Sequence, residues 1–293
     1  MTNPLSAYTL QQLSEKLDQA LSPLYPPEER LELIRILMEE STGKSRAAIL
    51  ASPHDTVAPQ AAHKILNALP RLAAHEPIQY ILSKAWFYGL TFYVNRHTLI
   101  PRPETEELVS LALQAFQSHP KLPPSFLEAG TGSGCIAITL IHENSQLSGY
   151  AFDLNREALL VAKQNARLHQ KELILFQDNM LQFSGKEMDQ QVGMLLSNPP
   201  YVLPEEQKMM RKNVTEYEPP MALYAPQEDP LCYYKHLKDI AIKYLVKGGI
   251  LLFEINEAMP AAMLQLFDEE PFRQGTILKD MRGKSRFFQC KKA

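Results

Sequence analysis

Asn198, Pro199, Pro200 and Tyr201 are the residues whose types and order most directly suggest chemistry. A residue that precedes proline is pushed toward extended backbone, so the Asn198 carboxamide is held away from any helix. Two consecutive prolines exclude both helix and ladder pairing, which makes the loop stiff. The carboxamide oxygen and the Pro199 carbonyl can together accept both hydrogens of an incoming NH2 group. Tyr201 adds a flat face against which a planar amide or base can pack. A proline-rich turn whose asparagine only caps something is the other reading of these four residues, and the rest of the chain has to separate the two.

The loop needs a rigid support, and Met194, Leu195 and Leu196 supply one: an apolar run that reads as a buried strand ending at Ser197. Open α/β sheets bind ligands at the carboxyl ends of such strands. From Phe126 onward, strand and helix patterns alternate, which predicts a parallel sheet covered on both faces. Phe126, Leu127, Glu128 and Ala129 form a first strand, and Gly130, Thr131, Gly132, Ser133 and Gly134 a tight turn before a helix that opens at Cys135. Such a turn lets a ligand approach the backbone at a helix N-terminus. The GxGxG spacing is not that of dinucleotide folds, and no Lys-Ser or Lys-Thr pair follows as a P-loop demands. Asp153 ends the second strand, nineteen residues after Gly134, where an acid suits ribose hydroxyls. A third strand over residues 173–176 ends near Asp178, whose carboxylate could accept from an adenine amino group. Each aspartate could instead be a helix N-cap.

Upstream of this unit, residues 1–82 read as a bundle of four or five helices without a chemical constellation of its own. Leu10, Leu13, Leu17 and Leu21 recur at helical spacing, as do Leu31, Ile34, Leu37 and Met38, with Gly43 ending the second helix. Residues 83–103 carry an aromatic-rich β-hairpin around Gly89 and a linker, expected to lie between the domains, and residues 104–293 form the α/β domain. Arg102, between two prolines, either faces a ligand carboxylate or pairs with a nearby glutamate. Residues 203–221 read as a polar loop long enough to form a lid, in which Glu218 braces the cleft. A helix over 233–246, a Gly248-Gly249 turn, a strand over 250–255, a helix over 258–267 and strands over 276–279 and 285–289 complete the pattern.

Composition narrows the function classes. A hydrophobic content of 45% and a charged content of 22% are ordinary for a soluble globular protein. A net charge of −3 gives no basic footprint for nucleic acid, so no stable nucleic-acid partner is expected. Cys135, Cys232 and Cys290 are widely spaced, which argues against zinc, metal binding and disulfides and fits a reducing compartment. The opening MTNPLSAYTL has no signal-peptide pattern, and no apolar run approaches membrane-span length, so the expected location is cytoplasmic.

The run from Phe126 to Leu140, Asp153 and Asn198-Pro199-Pro200-Tyr201 resemble the class I methyltransferases that use S-adenosylmethionine to modify planar NH2 groups. Ile36 to Gly43, Glu76-Pro77-Ile78-Gln79-Tyr80, Ile100-Pro101-Arg102-Pro103-Glu104-Thr105-Glu106 and Glu218-Pro219 narrow the resemblance to the PrmC/HemK family, over nearly the full length. That family methylates the glutamine of the Gly-Gly-Gln motif in class I peptide chain release factors, the proteins of translation termination. The resemblance implies a Rossmann-like seven-stranded sheet with the last strand antiparallel; the small all-helical domain ahead of it reads as a substrate-docking or a structural module. The resemblance further implies that Gly130, Thr131, Gly132, Ser133 and Gly134 wrap the methionine part of the cofactor and that Asp153 holds the ribose. Asp178 and Asn179 would lie beside the adenine. Asn198, Pro199, Pro200 and Tyr201 would grip the substrate amide, leaving S-adenosylhomocysteine as product. Two sister chemistries remain open at this point, a ribosomal protein glutamine methyltransferase and an adenine N6 methyltransferase on nucleic acid. A catalytically silent binding module with the same fold is a third alternative.

Overall fold

A computed structural model describes residues 8–293. Residues 1–7, most of the stretch read above for a leader, lie outside the described residues. The chain divides into two compact units. The first runs to Lys84 and recruits Lys212–Tyr217; the second comprises Ala85–Arg211 and Glu218–Ala293.

The first unit is helical. Helix α1 (Leu10–Leu21) starts at a capping box, in which Thr9 Oγ1 accepts from the Gln12 amide while the Gln12 side chain accepts from the Thr9 amide. Its buried stripe is Leu10, Leu13, Leu17 and Leu21, each side chain contributing about 2 kcal/mol of apolar burial. Helix α2 (Pro27–Thr42) opens on proline, where a missing N–H costs nothing, and stops at Gly43 in the left-handed region. It buries Ile34, Leu37 and Met38, but Leu31, expected on the same face, is 60% exposed. Helices α3 (Arg46–Ala51), α4 (Pro59–Ala73) and α5 (Ile78–Leu82) complete the bundle, α4 adding Ala62, Ile65, Ala68 and Leu72 to the core.

The second unit begins with the hairpin of β1 (Ala85–Phe87) and β2 (Leu90–Phe92), turned through Tyr88 and Gly89, both at positive φ as a tight two-residue turn requires. Phe87 and Phe92 join the same core as the large sheet, so the hairpin is part of the α/β unit and not a separate spacer. There follow α6 (Pro103–Ser118), β3 (Ser125–Ala129), α7 (Cys135–Glu143), β4 (Ser148–Asp153), α8 (Arg156–Leu168), β5 (Ile174–Gln177) and β6 (Val192–Ser197). The predicted lid is mostly irregular, with one 3-10 turn at Glu206–Met209, the single helical turn α9 (Lys212–Thr215) and another 3-10 turn at Pro220–Ala222. α9 lies in the segment assigned to the helical unit, where the Tyr217 hydroxyl donates to the Ala74 carbonyl at 2.6 Å.

Helix α10 (Cys232–Tyr244), β7 (Leu245–Glu254), α11 (Pro260–Leu266), β8 (Phe272–Lys279) and β9 (Ser285–Lys292) close the chain. The sheet order is β5-β4-β3-β6-β7-β9-β8, parallel from β5 to β7, with β9 antiparallel to both neighbours. β7 differs from expectation: it starts at Leu245 and runs through Gly248 and Gly249, with a register shift opposite Val192 and Met194. The two-residue strand period sorts the core into two layers. Met194, Leu196, Ile250 and Leu252 point to one side with α6 and α7. Leu195, Leu251 and Phe253 point to the other, with α10 and α11. No described helix is long and apolar enough to cross a membrane.

Candidate active site

Register builds the site. Ala129 on β3 stands opposite Phe152 on β4 and Ser197 on β6, and Ser197 stands opposite Phe253 on β7. The residues that follow (Gly130, Asp153, Asn198 and Glu254) therefore stand side by side at the carboxyl edge of the sheet. The chain order reverses here, with β4 on one side of β3 and β6 on the other, the crevice where open α/β sheets take ligands. A cavity of about 240 Å³ opens at this point, with Gly130, Gly132, Asp153, Asn179 and Asn198 in its walls.

The glycine turn is held by its neighbours. The amides of Gly130 and Thr131 donate to the Phe152 carbonyl at 2.9 and 3.0 Å, and the Gly132 amide donates to Asp153 Oδ2 at 2.9 Å. Gly130, Gly132 and Gly134 all have positive φ. A Cβ on Gly132 would meet nothing within 4 Å, whereas one on Gly134 would come within 2.9 Å of Ile138 and 3.2 Å of Ala162. Gly134 thus serves the close approach of α7 to α8 and does not form part of the cavity wall. Thr131 and Ser133 border the cavity, and the Ser133 carbonyl accepts from Asn165 Nδ2 at 2.9 Å.

Asp153 Oδ1 also accepts from the Asn155 amide at 2.8 Å; burial pushes its carboxyl upward against these backbone donors. Glu128, 1% exposed, also borders the cavity. Its Oε2 accepts from Thr131 Oγ1 at 2.8 Å and from the Ala137 amide at 3.2 Å, while Oε1 has no hydrogen-bond partner. Burial pushes this carboxyl up to about 8, against the pull of Thr131 and Ala137. An unsatisfied buried acceptor beside open glycine backbone suits a ligand that brings N–H donors or positive charge.

Asp178 is not brought to the cavity wall. Burial pushes its carboxyl up, but donors from Ser184, Gly185 and Asn179 outweigh this and hold it below the usual carboxylate range. Its lone pairs shape a local turn. Asn179 does reach the wall, and its Oδ1 accepts from the Leu181 amide at 2.9 Å, capping the 3-10 turn Met180–Gln182.

Asn198 and Pro200 line the cavity, while Pro199 is buried behind them. Asn198 Nδ2 donates to Thr105 Oγ1 at 3.1 Å, and Thr105 Oγ1 donates to Glu254 Oε2 at 2.8 Å. Tyr201 turns away from the cavity: its hydroxyl donates to Glu254 Oε1 at 2.8 Å, and its carbonyl accepts from Asn256 Nδ2 at 3.2 Å. In this structure Tyr201 anchors the loop instead of offering a free ring face. Arg102 borders the cavity and pairs with Glu218, as the second of its two sequence readings requires.

Sequence reasoning missed Thr105, Glu254, Glu128 and Asn165 as site residues. The signals were present. Thr105 shares a helical face with Leu108, Val109 and Ala112, Asn165 interrupts the apolar face of α8, and Glu128 and Glu254 are acids at the ends of apolar strands.

The PrmC N-terminal domain matches residues 9–82, and the methyltransferase small domain matches residues 109–217. The release factor glutamine methyltransferase of Flavobacterium psychrophilum is 35% identical over 272 residues, 92% of this chain and 95% of the relative. The release factor glutamine methyltransferase of Bacteroides thetaiotaomicron is 33% identical over 277 residues, 94% of this chain and 98% of the relative. Among solved structures, the hMettl16 catalytic domain in complex with MAT2A 3′UTR hairpin 6 is similar in fold. It superposes with a TM-score of 0.54 at 13% identity, covering 80% of this chain and 81% of that one. The seven-stranded sheet, the cavity at its switch point and these full-length relatives agree, and the chain belongs to the release factor glutamine methyltransferase family, the S-adenosylmethionine-dependent methyltransferases.

Proposed function

We propose that this enzyme methylates the side-chain amide nitrogen of the glutamine in the Gly-Gly-Gln motif of class I peptide chain release factors, in the cytoplasm, with S-adenosylmethionine as donor and S-adenosylhomocysteine as product. The observation that carries the substrate assignment is the extent of the likeness to relatives of that name, which includes the helical segment as well as the α/β unit.

The residues around the cavity suit the donor. Bare backbone at Gly130 and Gly132 leaves room for close approach, Asp153 offers a carboxylate to ribose hydroxyls, and the unpartnered Glu128 Oε1 favours a cationic ligand. Asn179 would lie beside the adenine, with Asp178 holding the turn that presents it. S-adenosylmethionine supplies an electrophilic methyl group on a sulfonium.

The protein's task is alignment, because an amide nitrogen is a weak nucleophile whose lone pair is delocalised into its carbonyl. Asn198 Oδ1 and the Pro199 carbonyl accept the two substrate N–H bonds, and Pro200 and Tyr201 keep the loop rigid. This directs the nitrogen lone pair along the line of transfer. Transfer of the methyl group from the sulfonium to this nitrogen would leave S-adenosylhomocysteine, and the proton displaced from the nitrogen would pass to solvent.

The test is transfer of labelled methyl from S-adenosylmethionine with release factor, ribosomal proteins and DNA offered in parallel, followed by peptide mapping. Label on the Gly-Gly-Gln glutamine, abolished when that glutamine is replaced, is the expected result. Label confined to a ribosomal protein or to adenine would overturn the substrate.

A further inference from the structure

The two ends of a carboxamide have nearly the same shape and opposite hydrogen-bonding character. A grip on an incoming NH2 group works only if Asn198 presents its oxygen. Presenting Nδ2 would set donor against donor. Asn198 lies on a loop, and neither its backbone nor the flanking prolines distinguish the two orientations of the amide. Something outside the loop has to.

We infer that Thr105 and Glu254 form a positioning relay that fixes the orientation of the Asn198 carboxamide, with its oxygen toward the cavity. This rests on the substrate-amide role proposed above for Asn198. The available protons decide the orientation. Glu254 is 1% exposed and held in place by β7, one residue beyond the Phe253–Ser197 pairing. As a carboxylate it has only acceptors. One oxygen takes the Tyr201 hydroxyl at 2.8 Å and the other takes the Thr105 hydroxyl at 2.8 Å.

Thr105 has a single hydroxyl proton, and Glu254 claims it. Only lone pairs are left to face Asn198, and only Nδ2 can donate to them, which it does at 3.1 Å. Oδ1 is thereby turned to the open side. Burial pushes the Glu254 carboxyl up, while Tyr201, Thr105 and the nearby Arg286 cation favour its charged form. The same carboxylate holds both ends of the loop, Asn198 through Thr105 and Tyr201 directly. Neither Thr105 nor Glu254 touches the reacting atoms in this account; both act through the loop.

The experiment compares Thr105→Val, which keeps the shape and removes the hydroxyl, with Thr105→Ser, which keeps the hydroxyl. The first readout is independent of turnover: solvent exchange of the Asn198 side-chain NH2, followed by NMR on 15N-labelled protein and assigned by its loss in Asn198→Ala. Exchange is expected to quicken about tenfold or more in Thr105→Val and to stay near the wild-type rate in Thr105→Ser. The second readout is a double-mutant cycle on kcat with the release-factor substrate. Thr105→Val should lower kcat about tenfold or more with cofactor Kd unchanged, Thr105→Ser should restore it, and Thr105→Val added to Asn198→Ala should cost nothing further. Equal NH2 exchange in wild type and Thr105→Val, or equal kcat losses in the two backgrounds, would overturn the relay. A wild-type enzyme with no activity on release factor would instead overturn the substrate assignment, and the exchange readout would still decide the relay.

Discussion

Arg102 and Glu218 lie 116 residues apart in sequence and 2.6 Å apart in space, Nη2 to Oε1, with the Glu218 side chain 1% exposed and that of Arg102 32% exposed. The second Glu218 oxygen accepts from the Ile100 amide at 3.1 Å. The pair ties the segment leading into α6 to the C-terminal part of the predicted lid, and Arg102 borders the cavity. Replacing Arg102 with Ala strands a buried carboxylate that retains only one backbone donor. We expect a loss of about 2 kcal/mol in urea unfolding, less than for a fully buried pair because Arg102 is partly solvated. An unchanged midpoint would show that the pair holds nothing.

Asn198→Ala removes the proposed acceptor for the substrate amide and leaves the glycine turn intact. The expected outcome is a fall in kcat of about a hundredfold or more, as for the loss of a preorganised polar group at a reacting centre. Cofactor binding by calorimetry should change little. Equal losses in both would place Asn198 in cofactor binding instead.

Asp153→Ala should show the opposite pattern. The substitution removes the acceptor for the Gly132 and Asn155 amides as well as the proposed ribose contact. A weakening of S-adenosylmethionine binding by roughly 2 kcal/mol or more is expected, read as a rise in Kd, because charge-assisted hydrogen bonds are lost. If Kd is unaffected, the carboxylate serves only the turn.

Glu128 gives a pH dependence whose sign follows from burial. Its carboxyl is raised from 4.5 to about 8, so the folded state favours the neutral form. The stability this contributes is fully present below the unfolded value and is lost as pH rises toward 8. Integrated over that window the loss is roughly 4 kcal/mol at most. Thermal unfolding of ligand-free Glu128→Gln should therefore vary less between pH 5 and pH 8 than the wild type. A cationic ligand beside Oε1 draws the carboxyl back down, so S-adenosylmethionine binding near neutral pH should release protons, measurable by calorimetry in buffers of different ionisation enthalpy. Identical pH profiles for the two proteins would refute this.

Gly134 and Gly132 should respond differently to alanine. Gly134→Ala combines a left-handed backbone with contacts at 2.9 and 3.2 Å, and about 2–4 kcal/mol of stability should be lost. Gly132→Ala has the backbone strain alone, about 1 kcal/mol, and its methyl group projects into open space. Its main effect should be on cofactor affinity. Denaturation and binding measured on both variants separate the two roles.

The centre of the sheet was readable because β3 and β6 are buried on both faces and end in residues with few alternatives: glycines at 130, 132 and 134, and consecutive prolines at 199 and 200. Asp153 was placed by spacing from the turn. Asp178 stands at a strand end in the same way, yet its oxygens are taken by Ser184 and Gly185. Spacing along the chain cannot say which donors lie beside a carboxylate. Thr105 and Glu254 escaped for a related reason: they are 149 residues apart, and only the pairing of β6 with β7 and the packing of α6 bring them together. The continuous β7 was also missed, because Gly248 and Gly249 read as a turn while the sheet tolerates them within a strand.

Lys212–Tyr217 lies deep within the α/β half of the sequence, yet it is part of the helical unit. The helical unit is therefore not a contiguous cassette. A gene truncated after Lys84 would lose this hexapeptide and leave the Ala74 carbonyl without the Tyr217 hydroxyl that it receives. A domain exchange between relatives that moved only the first 84 residues would join a bundle from one lineage to a hexapeptide from another. Recombination that preserves the unit has to carry two separate stretches of coding sequence, so the two halves of this enzyme are expected to be inherited together.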